Sequence, residues 1–255
     1  MNHVVDKKIT IIVSVLNGSK TLERCLLSIF GQTYETKEII VIDGFSSDAT
    51  VDIIKKYSDN IDYWISEPDS GIYNAWNKAI KKSTGEWICF LGCDDWWSSA
   101  SSLSEIAKQA VYPEFNFVSS KMYLVDNVGN IVSSVGNALN CRKLVLGPRI
   151  AHVGALHHRS LFDAYGLFDE NYKIAGDYEF ILRASPSIKP AFVPKNLIFM
   201  GNTGLSNLSI GITINEGFKA LSQTKGFGLG PAIIHYIVYY LAFCKSKVLK
   251  SLSSY

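Results

Sequence analysis

WICFLGCDDW, residues 87–96, is a short apolar run that ends abruptly in two adjacent carboxylates, Asp94 and Asp95. Such a run is typical of a buried strand in a mainly parallel sheet, where ligands bind beyond the carboxyl ends of the strands. Carboxylate oxygens at that position suit Mg²⁺ or Mn²⁺, which would in turn meet the phosphates of a substrate. The pair could instead cap the next helix, with the serine-rich residues 98–102 continuing the turn. This stretch alone leaves both interpretations open.

The residues before this run alternate between strand and helix patterns. Apolar, β-branched runs predict buried strands at residues 9–16, 38–43, 61–65 and 86–91, and helical spacing predicts helices within 22–30, 51–57 and 72–80. The turns at residues 17–19 and 46–48 are predicted to cap two of these helices. Strands that alternate with helices imply right-handed parallel crossovers. The first hundred residues are therefore predicted to form a nucleotide-binding-like α/β layer.

Polar residues stand at the carboxyl end of each predicted strand. These ends carry Asn17, Asp43-Gly44, Glu67-Pro68-Asp69 and Asp94-Asp95. In a parallel sheet they meet along one edge, which we call the acidic edge. Its carboxylates would repel one another unless a cation or hydrogen-bond donors neutralised them. Neither a GxGxxG nor a GxxxxGK[ST] motif is present, so a cation is expected to hold phosphates here.

Composition narrows the class of protein. The chain has 255 residues and a formal net charge of +2, which gives no indication of nucleic-acid binding. Its five cysteines, at positions 25, 89, 93, 141 and 244, lack metal-type spacing and are expected to be reduced thiols of a cytosolic protein. The N-terminus lacks the apolar segment of a signal peptide, so a cytoplasmic location is expected.

Four linked motifs resemble those of the family 2 glycosyltransferases. They are ITIIVSVLN (9–17), EIIVIDGFSSDAT (38–50), EPDSGIYNAWNKAI (67–80) and TGEWICFLGCDD (84–95), and the resemblance covers residues 8–100. A weaker match continues through residues 152–183 and 203–206. The resemblance implies the GT-A (nucleotide-diphospho-sugar transferase) fold, an α/β fold with a mainly parallel central sheet flanked by helices. The motifs are similar to those of bacterial enzymes that extend O-antigen or capsular repeat units on a lipid carrier.

The resemblance assigns the nucleotide-sugar site to residues of the acidic edge and of the helix that follows it. Those residues are Leu16, Asn17, Asp43, Asp69, Tyr73, Asn77 and Lys78. Leu16 and Asn17 would sit against the nucleotide, and Asp43 would accept a hydrogen bond from the base. Asp43 could instead be a turn residue before Gly44, and Asn77 and Lys78 could belong to an ordinary exposed helix face.

The resemblance also assigns the metal site. Asp94 and Asp95 correspond to the family's metal motif, with Mn²⁺ or Mg²⁺ as the expected cofactor. This chain departs from the usual DxD pattern because Gly92 occupies the first acidic position. The contacts to ribose or metal that an acid at that position would make are therefore in doubt, and Asp94 is expected to be the residue whose loss abolishes activity.

The second half is expected to supply the acceptor site and the base. Asp177 matches the aspartate of the family's ED motif, the general base, although Gly176 replaces the glutamate and Asp177 could simply be a helix N-cap. Glu179 projects about 200° away on a helix and should not share the site. The resemblance places His152 and Arg183 in the donor or acceptor pocket.

Two further histidines lie near His152 in the sequence. His157 and His158 read as a strand pair with one side chain exposed. The irregular spacing of the three histidines, and the lack of a neighbouring cysteine, argue against zinc.

Together these features predict an inverting, metal-dependent hexosyltransferase. One base without a second nucleophilic carboxylate suggests a single displacement. The resemblance suggests galactose or glucose moved from the UDP-sugar in β1,3 linkage onto GlcNAc-diphosphoundecaprenol. The alternatives are an inactive sugar-nucleotide-binding partner protein, which the glycines at 92 and 176 favour slightly, and a metal-dependent phosphohydrolase or nucleotidyltransferase.

The C-terminal segment gives information about where in the cell the protein is located. Residues 229–244 are apolar but too short for a comfortable membrane span, no acidic residue follows Glu216, and lysines follow the apolar stretch. An interfacial helix on the cytoplasmic face of the inner membrane fits this pattern; packing on the catalytic domain or on a homodimer partner fits it equally. The predicted organisation is a nucleotide-sugar half (1–100), an acceptor half of the same domain (101–215) and a basic helical segment (216–255).

Overall fold

The computed structural model describes residues 7–126, 128–146, 151–201 and 210–252. Its strands are β1 Ile9–Val15, β2 Lys37–Asp43, β3 Tyr63–Ser66, β4 Trp87–Gly92, β5 Trp96–Trp97, β6 Phe117–Val125, β7 Ile131–Val135, β8 Leu156–His158 and β9 Pro190–Gly201. Its helices are α1 Leu22–Phe30, α2 Thr50–Lys56, α3 Ile72–Lys82, α4 Ser102–Ala107, α5 Arg159–Tyr165, α6 Gly176–Ala184, α7 Ile210–Gln223 and α8 Leu229–Leu252. The weaker match predicted at residues 203–206 lies outside the described residues.

The first four strands form the predicted parallel layer. They run in the order β3-β2-β1-β4, and Ile11 of β1 lies opposite Ile39 on one side and Cys89 on the other. Parallel pairing requires crossovers, which α1, α2 and α3 provide. Because helices cover both faces, the central strands are almost continuously apolar and buried. The predicted α/β class is confirmed.

The second half makes the sheet mixed. β8 pairs antiparallel with both β4 and β6. β7 pairs antiparallel with β6, and β5 pairs antiparallel with β9. β6 and β9 pair in parallel. The predicted parallel arrangement therefore holds for the first four strands and for one later pair. The antiparallel strand β8 carries the histidines at 157 and 158 across β4, the strand that leads to Asp94.

Two hydrophobic cores lie on opposite faces of the sheet because neighbouring residues of a strand point to opposite sides. Ile12 and Phe90 pack on one face, whereas Ile11 and Trp87 pack on the other. Burying each such side chain stabilises the fold by about 1.5–3 kcal/mol. The first core also takes in buried residues of α7 and α8, namely Ala220, Leu221 and Ala232.

The C-terminal helix α8 packs on the domain with one face only. Ala232 and His235 are buried, and Nδ1 of His235 lies 3.1 Å from the carbonyl oxygen of Val145. The other face exposes large apolar side chains: Leu229, Ile233, Ile234, Ile237 and Leu241. Among the described residues, no helix combines the length and the apolar character needed to cross a membrane.

Candidate active site

The acidic edge is formed by loops that are hydrogen-bonded to one another just beyond β1, β2 and β3. The backbone N–H of Gly44 donates to the carbonyl of Val15 over 2.9 Å, and the N–H of Glu67 donates to the carbonyl of Asp43 over 3.0 Å. The three chain segments therefore leave the sheet side by side. The predicted convergence is present for these three strand ends.

Asp43 organises the loop that follows β2. Its buried carboxylate accepts hydrogen bonds from the Ser66 hydroxyl at 2.6 Å and from the Ser46 backbone N–H at 3.0 Å. The Ser46 hydroxyl donates to the other carboxylate oxygen. Contact with a nucleotide base stays a prediction for Asp43, and its contacts within the protein are those of a loop anchor. Ser46 and Ser66 were not singled out from the sequence.

Asn17 fastens the loops after β1 and β2 to each other. Its side-chain oxygen accepts from the Ser47 N–H at 2.9 Å, and its own N–H donates to the Ser46 hydroxyl at 2.7 Å. The predicted helix cap at residues 17–19 is wrong, because α1 starts at Leu22 and Thr21 precedes it without a capping side-chain bond. Residues 46–48 precede α2 at a similar distance, and only Asp48 reaches its first residue, accepting from the Thr50 N–H at 3.0 Å.

Two apolar side chains stand exposed on these joined loops. Leu16 is 60% exposed and Phe45 is 66% exposed. Asn17 and Phe45 both have positive φ angles, 52° and 69°. A positive φ is strained for a bulky residue such as phenylalanine, and backbone strain of this kind concentrates at ligand sites. The loop therefore presents an apolar surface on a constrained backbone.

The segment between β3 and α3 holds Asp69 close to β2. One Asp69 oxygen accepts from the Gly71 N–H at 3.0 Å, and the other lies 2.6 Å from where a Cβ on Gly44 would stand. Lys78 on α3 braces the same segment: its ammonium lies 2.8 Å from the Glu67 carboxylate and 3.1 Å from the Pro68 carbonyl oxygen. Asp69 belongs to the acidic edge, and Lys78 supports it.

Asn77 and Arg183 both make several hydrogen bonds within the protein. The buried Asn77 amide bonds to the backbone N–H and carbonyl of Phe168 and to Glu170. Arg183 pairs with Glu179 and donates to the carbonyl oxygens of Tyr165 and Leu167. Contact of Asn77 with the nucleotide-sugar, and of Arg183 with the donor or acceptor, stays a prediction.

The acid pair at the end of β4 differs in burial. Asp95 is buried: one oxygen accepts from the Gly92 N–H at 2.8 Å, and the other has no hydrogen-bond partner among the described residues. Burial and the negative charge of Asp94 raise the pKa of Asp95 well above its ordinary value. Asp94 is half-buried, and Arg24, stacked on Trp96, donates to its backbone carbonyl.

These two carboxylates fit a divalent cation. An unpartnered buried carboxylate oxygen beside a second acid is a hard-oxygen donor set that a cation would satisfy. No group of three or more His, Cys, Asp or Glu side chains placed to hold a metal occurs in the described part of the chain. The cation's remaining ligands would therefore come from a diphosphate and water, as Mg²⁺ commonly arranges.

The glycine at position 92 has a local explanation. A Cβ there would stand 2.8 Å from a carboxylate oxygen of Asp95 and 2.9 Å from one of Asp94. Real Cβ atoms essentially never approach other atoms so closely. A side chain at position 92 would therefore require the carboxylates of Asp94 and Asp95 to move from the positions that they occupy in this chain.

Asp177 lies at the start of α6 between two aromatic rings. One of its oxygens is 3.4 Å from the Tyr73 hydroxyl, and the other is 3.8 Å from Nδ1 of His152. The His152 ring stacks on Trp76 and on Phe90 of β4. The strand that delivers Asp94 therefore also supports the histidine beside Asp177.

The surroundings of Asp177 alter its acidity. Burial raises the pKa of Asp177 to about 6, while hydrogen bonds from the Tyr178 N–H and the Tyr73 hydroxyl oppose that rise. Burial also lowers the pKa of His152 to about 4, so its imidazole is neutral near pH 7. The Asp177 side chain is still 27% exposed. A carboxylate that is ionised at neutral pH, poorly solvated and still accessible suits proton removal.

The glycine at position 176 is also explained by its neighbour. A Cβ there would lie 2.7 Å from a ring carbon of Tyr73. Gly176 thus allows Tyr73 to reach Asp177 and the carbonyl of Ile174, to which its hydroxyl donates over 2.6 Å. A side chain at position 176 would require the Tyr73 ring to move.

The remaining histidines do not join the site directly. His157 is completely buried among aromatic rings, and His158 is half-buried against Tyr112. The predicted strand pair is therefore present, with His158 partly covered rather than exposed. Glu216, which sequence reasoning missed, contacts the backbone just before Asp177; only its place as the last acidic residue distinguished it.

Known proteins are similar to this chain in sequence. The chain matches glycosyl transferase family 2 over residues 10–160. A PGL/p-HBAD biosynthesis glycosyltransferase of Mycobacterium bovis (strain BCG / Pasteur 1173P2) is 28% identical over 235 residues, covering 88% of each chain. Glycosyltransferase GlyA of Streptococcus pneumoniae is 38% identical over 95 residues, 36% of this chain and 14% of that protein.

Solved structures share the fold. Residues 1–349 of S. aureus TarS superpose with a TM-score of 0.70 at 17% identity, covering 94% of this chain and 73% of that one. The mannosyltransferase PcManGT from Pyrobaculum calidifontis gives 0.69 at 16% identity, covering 98% and 81%. The fold is therefore GT-A, as predicted. Because the family match spans more than half of its residues, the chain belongs to glycosyl transferase family 2.

Proposed function

We propose that this glycosyltransferase moves a hexose from a UDP-sugar to a hydroxyl of a lipid-linked sugar, with inversion at the anomeric carbon. The observation that carries the proposal is Asp177: an accessible carboxylate whose pKa is raised to about 6. Asp177 lies beside His152, whose ring stacks on Phe90 of β4, the strand that leads to Asp94. A base and a diphosphate-binding edge on one scaffold are what a single displacement requires.

In this proposal the acidic edge holds the donor. Leu16 and Phe45 offer an apolar surface to the nucleotide base of the donor. Asn17, Asp43 and Asp69 shape the loops around that surface. Asp94 and Asp95 would hold Mn²⁺ or Mg²⁺, which when bound stabilises the charge of the departing diphosphate.

Asp177 acts on the acceptor. Its ionised carboxylate accepts the proton of the attacking hydroxyl as the new bond forms, because that hydroxyl is too weakly acidic to ionise alone. With one base and a direct attack, an α-linked donor gives a β-linked product. Tyr73 and His152 flank the two carboxylate oxygens and hold them in place during the transfer.

Related structures support a nucleotide donor. TarS was crystallised with UDP and with UDP-GlcNAc, and PcManGT with GDP-Man and Mn²⁺. From the resemblance to lipid-carrier enzymes we propose galactose or glucose as the sugar, added β1,3 to GlcNAc-diphosphoundecaprenol in surface-polysaccharide or O-antigen assembly. Residues 1–100 would then serve the donor and 101–215 the acceptor.

A donor screen tests the proposal. The protein would be mixed with Mn²⁺ or Mg²⁺, a panel of UDP-sugars and a GlcNAc-diphospho-lipid analogue, and both transfer and donor hydrolysis would be measured. We expect transfer with one hexose and little hydrolysis. Binding without turnover would indicate the inactive partner protein instead, and hydrolysis without transfer would indicate a phosphohydrolase.

The exposed face of α8 supports a location at the cytoplasmic surface of the inner membrane. Its apolar side chains stand opposite the packed face, and the segment after Glu216 contains lysines but no acid. Such a helix binds anionic bilayers through apolar insertion and charge attraction. There the enzyme would meet a lipid-linked acceptor.

Vesicle co-sedimentation tests this location. Phosphatidylglycerol vesicles should sediment the wild-type protein, and phosphatidylcholine vesicles should do so less. Ile233→Glu with Ile237→Glu should abolish the sedimentation, whereas Val132→Glu, at an exposed apolar residue of β7, should not. Equal sedimentation of all three proteins would remove the membrane from the proposal.

A further inference from the structure

Glu216 of α7 binds the backbone that leads into α6. Its carboxylate accepts hydrogen bonds from three consecutive N–H groups, those of Lys173 at 2.8 Å, Ile174 at 2.9 Å and Ala175 at 2.8 Å. Charge-assisted bonds of this type are about twice as strong as neutral ones. The last bonded residue lies two positions before Asp177.

Two further contacts hold the same segment. Tyr73 donates to the carbonyl of Ile174 and packs its ring against Gly176. Lys219, one turn along α7 from Glu216, places its ammonium 4.1 Å from the centre of the Tyr172 ring. Residues 172–176 are therefore fixed between α3 and α7, and the position of Asp177 depends on both helices.

We propose that Glu216 is a positioning residue for the transfer reaction: by holding residues 173–175 it sets where α6 begins and where the Asp177 carboxylate stands. This inference rests on the proposed role of Asp177 as the base. It links the pair of C-terminal helices to the position of Asp177, because Gly217 and Phe218 of α7 pack against His235 and Tyr236 of α8.

The charge of Glu216 provides a second readout. The groups that act on Asp177 are His152, the Tyr73 hydroxyl, the Tyr178 N–H and the carboxylate of Glu216. Of these, Glu216 is the negatively charged one, and its charge raises the pKa of Asp177. Removing that charge should move the acidic limb of the pH–rate profile to lower pH. Glu216→Gln removes the charge and keeps nearly the same side-chain volume, so a shifted limb in that variant reports the charge rather than lost burial.

The test compares Glu216→Gln and Glu216→Ala with Glu105→Gln, a carboxylate whose partners are the surface lysines 108 and 195. We expect kcat to fall by about 10- to 100-fold in both Glu216 variants, with donor KM little changed, because small displacements of a catalytic group carry losses of this size. Glu105→Gln should match the wild type. Wild-type kcat and an unmoved acidic limb in the Glu216 variants would overturn the inference.

Two further measurements keep the result decisive. If Glu216→Ala fails to fold, Glu216→Gln is followed by hydrogen exchange: faster exchange at Lys173, Ile174 and Ala175 supports the inference, and unchanged exchange overturns it. Asp177→Asn is assayed in parallel. An active Asp177→Asn enzyme contradicts the proposed base, whereas an inactive one beside a fully active Glu216→Gln enzyme contradicts only the role of Glu216.

Discussion

The acidic edge and the surroundings of Asp177 are held in place by contacts of very different range. At the acidic edge, short loops that follow neighbouring strands bond to each other, as Asn17 does to Ser46 and Ser47. Asp177 is contacted by Tyr73, 104 residues earlier in the chain, and the segment before it is bound by Glu216, 41 to 43 residues later.

We expect the two regions to serve different steps, the acidic edge donor binding and the surroundings of Asp177 the transfer reaction. A change at the acidic edge should alter how the donor binds, and a change around Asp177 should alter turnover while leaving donor binding intact. Each of the following variants tests that division, beginning with the largest expected effect.

Asp94→Asn should reduce transfer below detection. Its carboxylate lies near that of Asp95, so its loss removes a charged ligand for the cation that would hold the diphosphate. Calorimetric titration with UDP should show Mn²⁺-dependent binding in the wild type and none in the variant. Asp52→Asn, at an exposed position of α2, is the control. Mn²⁺-dependent UDP binding by Asp94→Asn would remove that residue from the metal site.

Asp177→Asn should lower kcat by about 10²- to 10⁴-fold, the usual contribution of a general base. UDP affinity should equal that of the wild type, because the acidic edge is unchanged. Single-turnover transfer and UDP titration on the same preparation check both statements. A variant that bound UDP weakly as well would break the division between the two regions.

The pH profile should follow the ionisation of Asp177. Its pKa is raised to about 6, so the base becomes protonated and kcat falls as pH decreases through that value, by about tenfold per pH unit below it. His152, with a pKa lowered to about 4, stays neutral over most of this range. Initial rates between about pH 5 and pH 8 measure this acidic limb of the pH–rate profile. A limb near the ordinary aspartate value, about pH 4, would contradict the assignment.

Gly176→Ala should destabilise the protein by about 1–3 kcal/mol and lower kcat, because the new methyl group would press into the Tyr73 ring. Thermal unfolding and transfer assays measure the two effects. Gly211→Ala on α7 is the matched control, since a Cβ there meets no atom within 4 Å. Equal stability and activity in both variants would show that Tyr73 has room to move.

Ser66→Ala should have the smallest effect. It removes the 2.6 Å hydrogen bond to Asp43, a loss of about 1 kcal/mol that would raise donor KM about fivefold with kcat unchanged. Ser70→Ala, at an exposed loop position, should behave as wild type. A fall in kcat without a change in KM would place Ser66 with the chemistry instead.

The same contrast explains what could be predicted from the sequence. The four parallel strands and the convergence of Asn17, Asp43, Asp69 and Asp94 follow from apolar runs and crossover geometry, which are local signals. The contacts of Asn77 with Phe168 were not predicted, because they join segments 91 residues apart, whereas the Arg183–Glu179 pair is a local i,i+4 contact on α6.

Other features carried little or no local signal. The antiparallel second half of the sheet depends on β8 inserting between β4 and β6, and three residues of strand give a weak pattern. The absent acids at positions 92 and 176 were visible in the sequence, but the tight packing around each glycine was not. Each depends on a neighbour's atoms standing less than 3 Å from a Cβ.

The joined loops at Asn17 and Phe45 have a consequence for the thermodynamics of donor binding. Their left-handed backbone conformations are stabilised on folding, by the hydrogen bonds of Asn17, Asp43 and Ser46. A donor that meets this surface does not have to order it, so little conformational entropy is lost on binding. Calorimetry should accordingly find a small entropic penalty and a modest heat-capacity change for UDP, as expected for a rigid receptor that is already in its bound shape.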